Sequence, residues 1–212
     1  MIDQKLAEDG LDLLFREAHT HTQWRDQPVS DDTLRALYDL MKWAPTSMNC
    51  SPVRLLFLRT PEAKQRLLPA LATGNIAKTM AAPVTVIVGY ALNFYEQMPR
   101  LFPPMPTARD MFAGAPEIAE TTARRNSSLQ GAYLILAARA VGLDCGPMSG
   151  FDNAQVDEEF FGAGCQLDPA EQEYFTIGQT RSNFLCNLGY GDPAGVFPRN
   201  PRFDFDEICK LL

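Results

Sequence analysis

The residues of this chain that could do chemistry are mostly hydrogen-bond donors, with few candidates for a nucleophile. Both histidines, His19 and His21, fall in the single stretch Ala18-His19-Thr20-His21-Thr22-Gln23-Trp24-Arg25. A histidine-based metal cluster is therefore nearly excluded, and a Ser-His-Asp triad would have to recruit one of this pair. No G-x-x-x-x-G-K-[ST], H-E-x-x-H or G-x-S-x-G string occurs, which removes the phosphate loop, the zinc-protease helix and the hydrolase elbow. Gly189-Tyr190-Gly191 lacks the remainder of a dinucleotide fingerprint. What is left is a set of small polar groups at turns. Thr46, Ser47 and Asn49 follow Pro45 on a turn closed by Pro52, and such side chains can meet a polar ring edge without crowding it. Asn75 and Lys78, spaced i and i+3, share one face of a helical turn. In Pro147-Met148-Ser149-Gly150-Phe151 the glycine would let main chain approach a ligand closely. Each of these taken alone also has a plain structural reading, as a surface lysine, an ordinary helix-to-strand turn or a surface cap.

The elements that must position these groups follow from periodicity. Leu11, Leu14, Phe15 and Ala18 have helical spacing. Ser30 can cap a second helix whose Leu34, Leu37, Tyr38 and Met41 form one face, with Asp31 and Asp32 at its positive end and Pro45 beyond it. Residues 53–59 read as a strand, followed by Thr60-Pro61-Glu62 as a helix start. The β-branched run within 83–90 is the pattern of a central strand covered on both faces. Residues 93–112, rich in Pro, Phe and Met, read as a long irregular excursion of the kind that forms lids. The spacing predicts one long helix over 116–141, apolar on nearly all sides from Leu129 onward and stopped by Gly142. Short extended segments at 143–145 and 183–190 complete a sheet. No Pro/Gly/Ser linker interrupts 1–212, so one domain is expected, an α/β or α+β sandwich with a covered sheet.

Composition narrows the function. Hydrophobic residues make up 46% of the 212, enough for a substantial core. With 26 acidic against 19 basic side chains the formal charge is -7, and no Lys/Arg cluster relieves it. Nucleic acid and anionic lipid are therefore poor partners. No stretch approaches the ~18 apolar residues of a membrane span, and the charged start Met1 to Asp9 has no signal core. A cytoplasmic protein is expected. Its five scattered cysteines, never spaced C-x-x-C, read as free thiols.

Taken together and in order, these segments resemble the nitroreductase family, over essentially the whole chain from Leu14 to Leu212. Within it the likeness is greatest to the malonic semialdehyde reductase branch associated with the Rut pathway of pyrimidine degradation. The resemblance implies an α+β fold, a three-layer α-β-α sandwich around a mixed, mostly antiparallel sheet, assembled as an intertwined homodimer with FMN at the interface. It assigns the flavin phosphate to the segment carrying His19, Thr20 and His21, where family members often have arginine at position 19; neutral imidazole donates only one proton. It brings the turn Pro45, Thr46, Ser47 and Asn49 to the flavin, often from the partner subunit. Asn75 and Lys78 match an N-x-x-K element whose ammonium stabilises the electron-rich reduced ring near N1 and the C2 carbonyl. Pro147, Met148, Ser149 and Gly150 match a G-L-x-x-x-P-x-x-G-F element set against N5. Many nitroreductases carry an acidic residue where this chain has Ser149, which favours the semialdehyde branch. Arg199, in Pro198-Arg199-Asn200-Pro201-Arg202, is placed on the phosphate, with Arg202 as the alternative.

The activity so implied is a ping-pong oxidoreduction. NADH or NADPH gives hydride to flavin N5, and a small acceptor, malonic semialdehyde becoming 3-hydroxypropionate, then takes it. Lys78 is the one side chain given a catalytic part. Two other readings stay open: a broad NAD(P)H nitro- or quinone reductase, and a flavin-binding protein without turnover. Arg124 and Arg125 face either an acidic substrate or solvent. Phe94, Tyr95, Phe102 and Phe112 either cover the flavin or pack in a dimer.

Overall fold

The computed structural model describes residues 5–212; the first four residues of the charged N-terminal stretch lie outside the described residues. In chain order the helices are α1 (Glu8–Leu11), α2 (Asp31–Met41), α3 (Pro61–Leu67), α4 (Thr73–Ala81), α5 (Met98–Leu101), α6 (Ala108–Ala113), α7 (Pro116–Ala140), α8 (Asn153–Phe161) and α9 (Phe205–Ile208). The strands are β1 (Val53–Leu58), β2 (Val84–Ala91), β3 (Asp144–Met148) and β4 (Thr180–Gly189).

Every residue of β2 is buried. A strand with β-branched side chains pointing both ways is stable only if both of its faces are covered. β1 and β4 flank it antiparallel and β3 pairs antiparallel with β4, giving the order β1-β2-β4-β3. Alternation along the strands then sorts the interior into two cores. Val84, Val86, Val88, Cys186 and Leu188 face α2 and α7, while Ile87, Leu185 and Met148 face α3 and α8. This is the expected three-layer α-β-α sandwich. Its only parallel component among the described residues is a bridge between Thr20 and Cys145.

Local signals act where they were read. The Ser30 hydroxyl accepts the Thr33 amide and opens α2; Thr60 does the same for Ala63, with Pro61 in the first turn of α3. Gly142, at φ 84°, takes the left-handed conformation that ends α7. Halfway along that helix, Gly131 sits against Phe184. A Cβ there would fall 2.5 Å from the Phe184 ring, so the glycine sets how closely α7 lies on the sheet.

Two expectations need correction, and one helix is added to them. The N-terminal helix is short: α1 passes into a π-turn over Asp12–Arg16, leaving Leu13 and Phe15 exposed and Ala18 beyond it. The 93–112 excursion is not a loose lid. It folds into α5, α6 and a 3-10 turn around a third core, where Phe94 and Phe112 meet edge-to-face at 5.0 Å. Both rings are buried, because Pro-interrupted short helices still bring their aromatics to one side. Helix α8 was not foreseen, although Asp152 caps it through the Gln155 amide and Val156, Phe160 and Phe161 give it an apolar face. All five cysteines are free, with Cys50, Cys145 and Cys186 buried.

Ile87 is fully buried at the centre of β2. Ile87→Ala is expected to lower stability by about 2–5 kcal/mol through lost burial and the cavity left behind, measured by urea denaturation.

Candidate functional site

Three of the sequence segments meet at the β3 side of the sheet. The 18–24 stretch runs along β3: Thr20 bridges Cys145, and the His21 amide donates to the Cys145 carbonyl at 2.9 Å. Gly146 makes this approach possible, since a Cβ there would fall 2.6 Å from the His21 carbonyl oxygen. On the other flank α4 is clipped to the segment following β3. Asn75 Nδ2 donates to the Gly150 carbonyl at 2.7 Å, and the Ala72 amide donates to the same oxygen at 3.0 Å. Thr79 adds a hydroxyl contact to Met148 Sδ at 3.5 Å.

Lys78 lies between these two attachments. Its carbonyl accepts Trp24 Nε1 at 3.1 Å and Asn187 Nδ2 at 3.2 Å, and Asn187 is held in turn by Thr85 at 2.8 Å. The main chain of the lysine is thus fixed from the N-terminal stretch and from the sheet interior. Its half-buried side chain has no carboxylate within ion-pair distance among the described residues. Pro147, Ser149 and Gly150 are exposed beside it, whereas the Met148 side chain is in the core. Met148 can therefore offer a ligand only its main chain, because the alternation of β3 turns its thioether inward.

Arg199 closes the same region: its Nη2 donates to the Ala18 carbonyl at 3.0 Å, next to His19 and Thr20. The Arg199 guanidinium is thereby held against the stretch that carries His19 and Thr20, and a guanidinium is a donor that suits an anion. Arg202 instead bonds to the carbonyls of Asn200 and Pro201. His21 departs from the expectation for its side chain. The imidazole is buried, with Nε2 3.3 Å from Asp144 Oδ1, while Asp144 Oδ2 accepts the Gly191 amide at 2.8 Å. Successive residues of an extended segment point to opposite sides, so His21 turns inward where Thr20 is exposed. Its Nδ1 finds no hydrogen-bond partner among the described residues.

The fourth segment is elsewhere. The turn after Pro45 lies at the start of β1, the opposite edge strand, where Val53 pairs with Tyr90. It is strained: Met48, Asn49 and Ser51 have φ of 51°, 53° and 38°. Such left-handed non-glycine residues cost of order 1–3 kcal/mol each and persist only where the surroundings hold them. Ser47 N donates to Asn126 Oδ1 at 2.8 Å, Ser51 N to Thr46 Oγ1 at 3.2 Å, and Asn49 Nδ2 to the Leu101 carbonyl at 2.8 Å. A groove of about 980 Å³ opens beside this turn, lined by Tyr38, Trp43, Asn49, Ser51 and Arg54 among others. Burial lowers the Arg54 guanidinium to about 10, offset only in part by Tyr38 and Tyr174. Asn126 was missed as a holder of this turn; a polar residue inside a long apolar-faced helix was the available signal. Arg124 and Arg125 beside it are exposed.

Comparison with known proteins gives this arrangement its class. Residues 16–166 match the model of the nitroreductase family. A Burkholderia lata protein named "Putative NADH dehydrogenase/NAD(P)H nitroreductase" is 60% identical over 206 residues, spanning 97% of this chain and 98% of that one. Among solved structures, a "putative nitroreductase" of Bacillus subtilis superposes with a TM-score of 0.80 at 17% identity, covering 97% of this chain and 100% of the other. A "putative nitroreductase in complex with FMN" from Exiguobacterium sibiricum gives 0.77 at 19% identity, covering 98% and 99%. The chain belongs to the nitroreductase family.

The Asp144–His21–Gly191 contact yields a test. A Cβ at Gly191 would land inside the His21 ring. Gly191→Ala is expected to push the 19–22 segment away from β3 and destabilise the fold by about 1–3 kcal/mol, seen as a lowered unfolding midpoint together with faster amide exchange at His21.

Proposed function

We propose that this protein is an FMN-dependent oxidoreductase that takes reducing equivalents from NADH or NADPH and delivers them to a small acceptor. The observation that carries the reading is an ammonium without a carboxylate partner among the described residues, Lys78, on a helix clipped by Asn75 to the exposed Gly150. The donor set of the site suits the cofactor: Arg199, His19 and Thr20 for a phosphate, Lys78 for the electron-rich edge of a reduced ring, and the exposed Pro147 to Gly150 main chain for the ring itself. When bound, FMN supplies the hydride relay between nicotinamide and acceptor. The protein's own contribution is position and charge. Lys78 favours the reduced, anionic form, and Gly150 leaves room for main chain to orient the ring. His21 supports the phosphate segment from within rather than touching the phosphate.

A homodimer completes the site. The turn carrying Pro45, Thr46, Ser47 and Asn49 lies on the opposite edge strand from Lys78 and Gly150, so a second copy is needed to bring it to the flavin. Two unpartnered apolar surfaces support this assembly. The outer side of α7 exposes Ile118, Leu129 and Tyr133, and the C-terminal segment exposes Phe197, Phe203, Phe205 and Ile208. Soluble chains seldom leave that much apolar surface uncovered.

For the acceptor, Ser149 within Pro-Met-Ser-Gly-Phe supports malonic semialdehyde, whose aldehyde carbon would receive the hydride and whose oxygen a proton, giving 3-hydroxypropionate. A broad nitro- or quinone reductase fits the fold and cofactor equally. Oxidation of NADH and NADPH, compared with the semialdehyde, nitroaromatics and quinones as acceptors, separates the two; a semialdehyde no better than the others removes the finer assignment.

Purified protein should be yellow and lose that colour on anaerobic addition of NADH or NADPH, read as bleaching of the visible flavin band. Lys78→Met should keep the fold and slow this reduction about tenfold or more; an unchanged rate removes the electrostatic role of the lysine. Joint replacement Leu129→Glu and Tyr133→Glu should give a monomer by sedimentation and weaken FMN binding, because each half-site then stands alone.

A further inference from the structure

Helix α7 carries three buried polar side chains among its apolar contacts: Asn126, Ser127 and Gln130. None of them pairs with a charged group among the described residues. Each is spent on main chain or on a neutral side chain. Gln130 Oε1 accepts the Val53 amide at 3.0 Å, Ser127 Oγ donates to the Gly89 carbonyl at 3.0 Å, and Asn126 Oδ1 accepts the Ser47 amide at 2.8 Å. Asn126 Nδ2 donates to the Thr122 carbonyl at 2.8 Å and reaches Ser47 Oγ at 3.4 Å. Asn126 and Gln130 are one helical turn apart and so share a face. Between them they grip the chain immediately before the left-handed residues Met48, Asn49 and Ser51 and again two residues after the last of them. A strained turn relaxes unless its ends are fixed, and here both ends are fixed to one rigid helix.

We infer that Asn126, seconded by Gln130, is a positioning residue for the cofactor: it holds the 46–51 turn in the strained shape that a second protomer's flavin site receives. The inference rests on the flavin-dependent reading above. It extends that reading to a buried residue which touches neither cofactor nor substrate. Replacement of the asparagine would free the Ser47 amide, let Met48 and Asn49 fall back to ordinary conformations, and withdraw the hydroxyl and amide groups of the turn from the ring edge.

The test uses the full-length protein stripped of flavin. FMN dissociation constants come from fluorescence quenching, and the environment of the bound ring from visible circular dichroism. Asn126→Leu is expected to weaken FMN binding tenfold or more and to change the visible dichroism of the flavin that still binds. A residue that merely supports the fold would shift the melting temperature and leave that spectrum alone. Should Asn126→Leu fail to fold, Ser47→Pro removes the same hydrogen bond from the surface side. Thr46 already has the extended backbone, φ -133° and ψ 157°, that a residue before proline requires, and position 47 begins a 3-10 turn. Ser47→Ala is its control, since it keeps the amide and loses only the hydroxyl. Ser47→Pro should fall well below Ser47→Ala in FMN affinity. A folded Asn126→Leu protein with wild-type affinity and dichroism overturns the inference, as does equality of Ser47→Pro and Ser47→Ala. Wild-type protein that takes up no FMN would overturn the flavin reading itself and this inference with it.

Discussion

The constraint on which the molecule depends is the burial of β2 on both faces. Its side chains leave no face for solvent, so helices must cover the sheet above and below, and antiparallel partners must stand on either side. The two cores then follow from simple alternation, and so does the separation of the functional segments. β1 and β3 are the outer strands because β2 and β4 occupy the middle. The loops that carry polar chemistry are attached to those outer strands, one group at each edge.

This geometry explains why polar groups in the interior are arranged as anchors. Asn187, held by Thr85 within the sheet, donates to the Lys78 carbonyl, and Trp24 reaches the same oxygen from the N-terminal stretch. On the other edge, Asn126 and Gln130 take the amides of Ser47 and Val53. In both places a buried side chain satisfies main chain that would otherwise be left without a partner, at a point next to a candidate ligand-binding group. The candidate segments are thus held through their main chain, and at Lys78 this leaves the side chain out of any ion pair among the described residues.

Much of this was legible in the sequence, and the failures have physical causes. The caps at Ser30 and Thr60, the run of β2, the length of α7 and its stop at Gly142 depend on neighbours within a few positions, which a reading of spacing captures. The excursion at 93–112 reads as irregular because its prolines mark local breaks; they do not reveal that Phe94 and Phe112 find each other across α5 and α6. Helix α8 is short, and its apolar residues come late. For the site, the segments were recognised, but the direction of their side chains was not. His21 and Met148 turn inward through the parity of extended chain, fixed for His21 by the Thr20–Cys145 bridge and for Met148 by the β3–β4 register. The role of Asn126 depends on a contact between residues 79 positions apart.

The exposed aromatic tail and the outer face of α7 carry one more consequence. On the two-protomer reading, much of the apolar surface of each copy is covered only by the other, so thermal stability must rise with protein concentration. Dilution would then strip cofactor and loosen the fold in a single event.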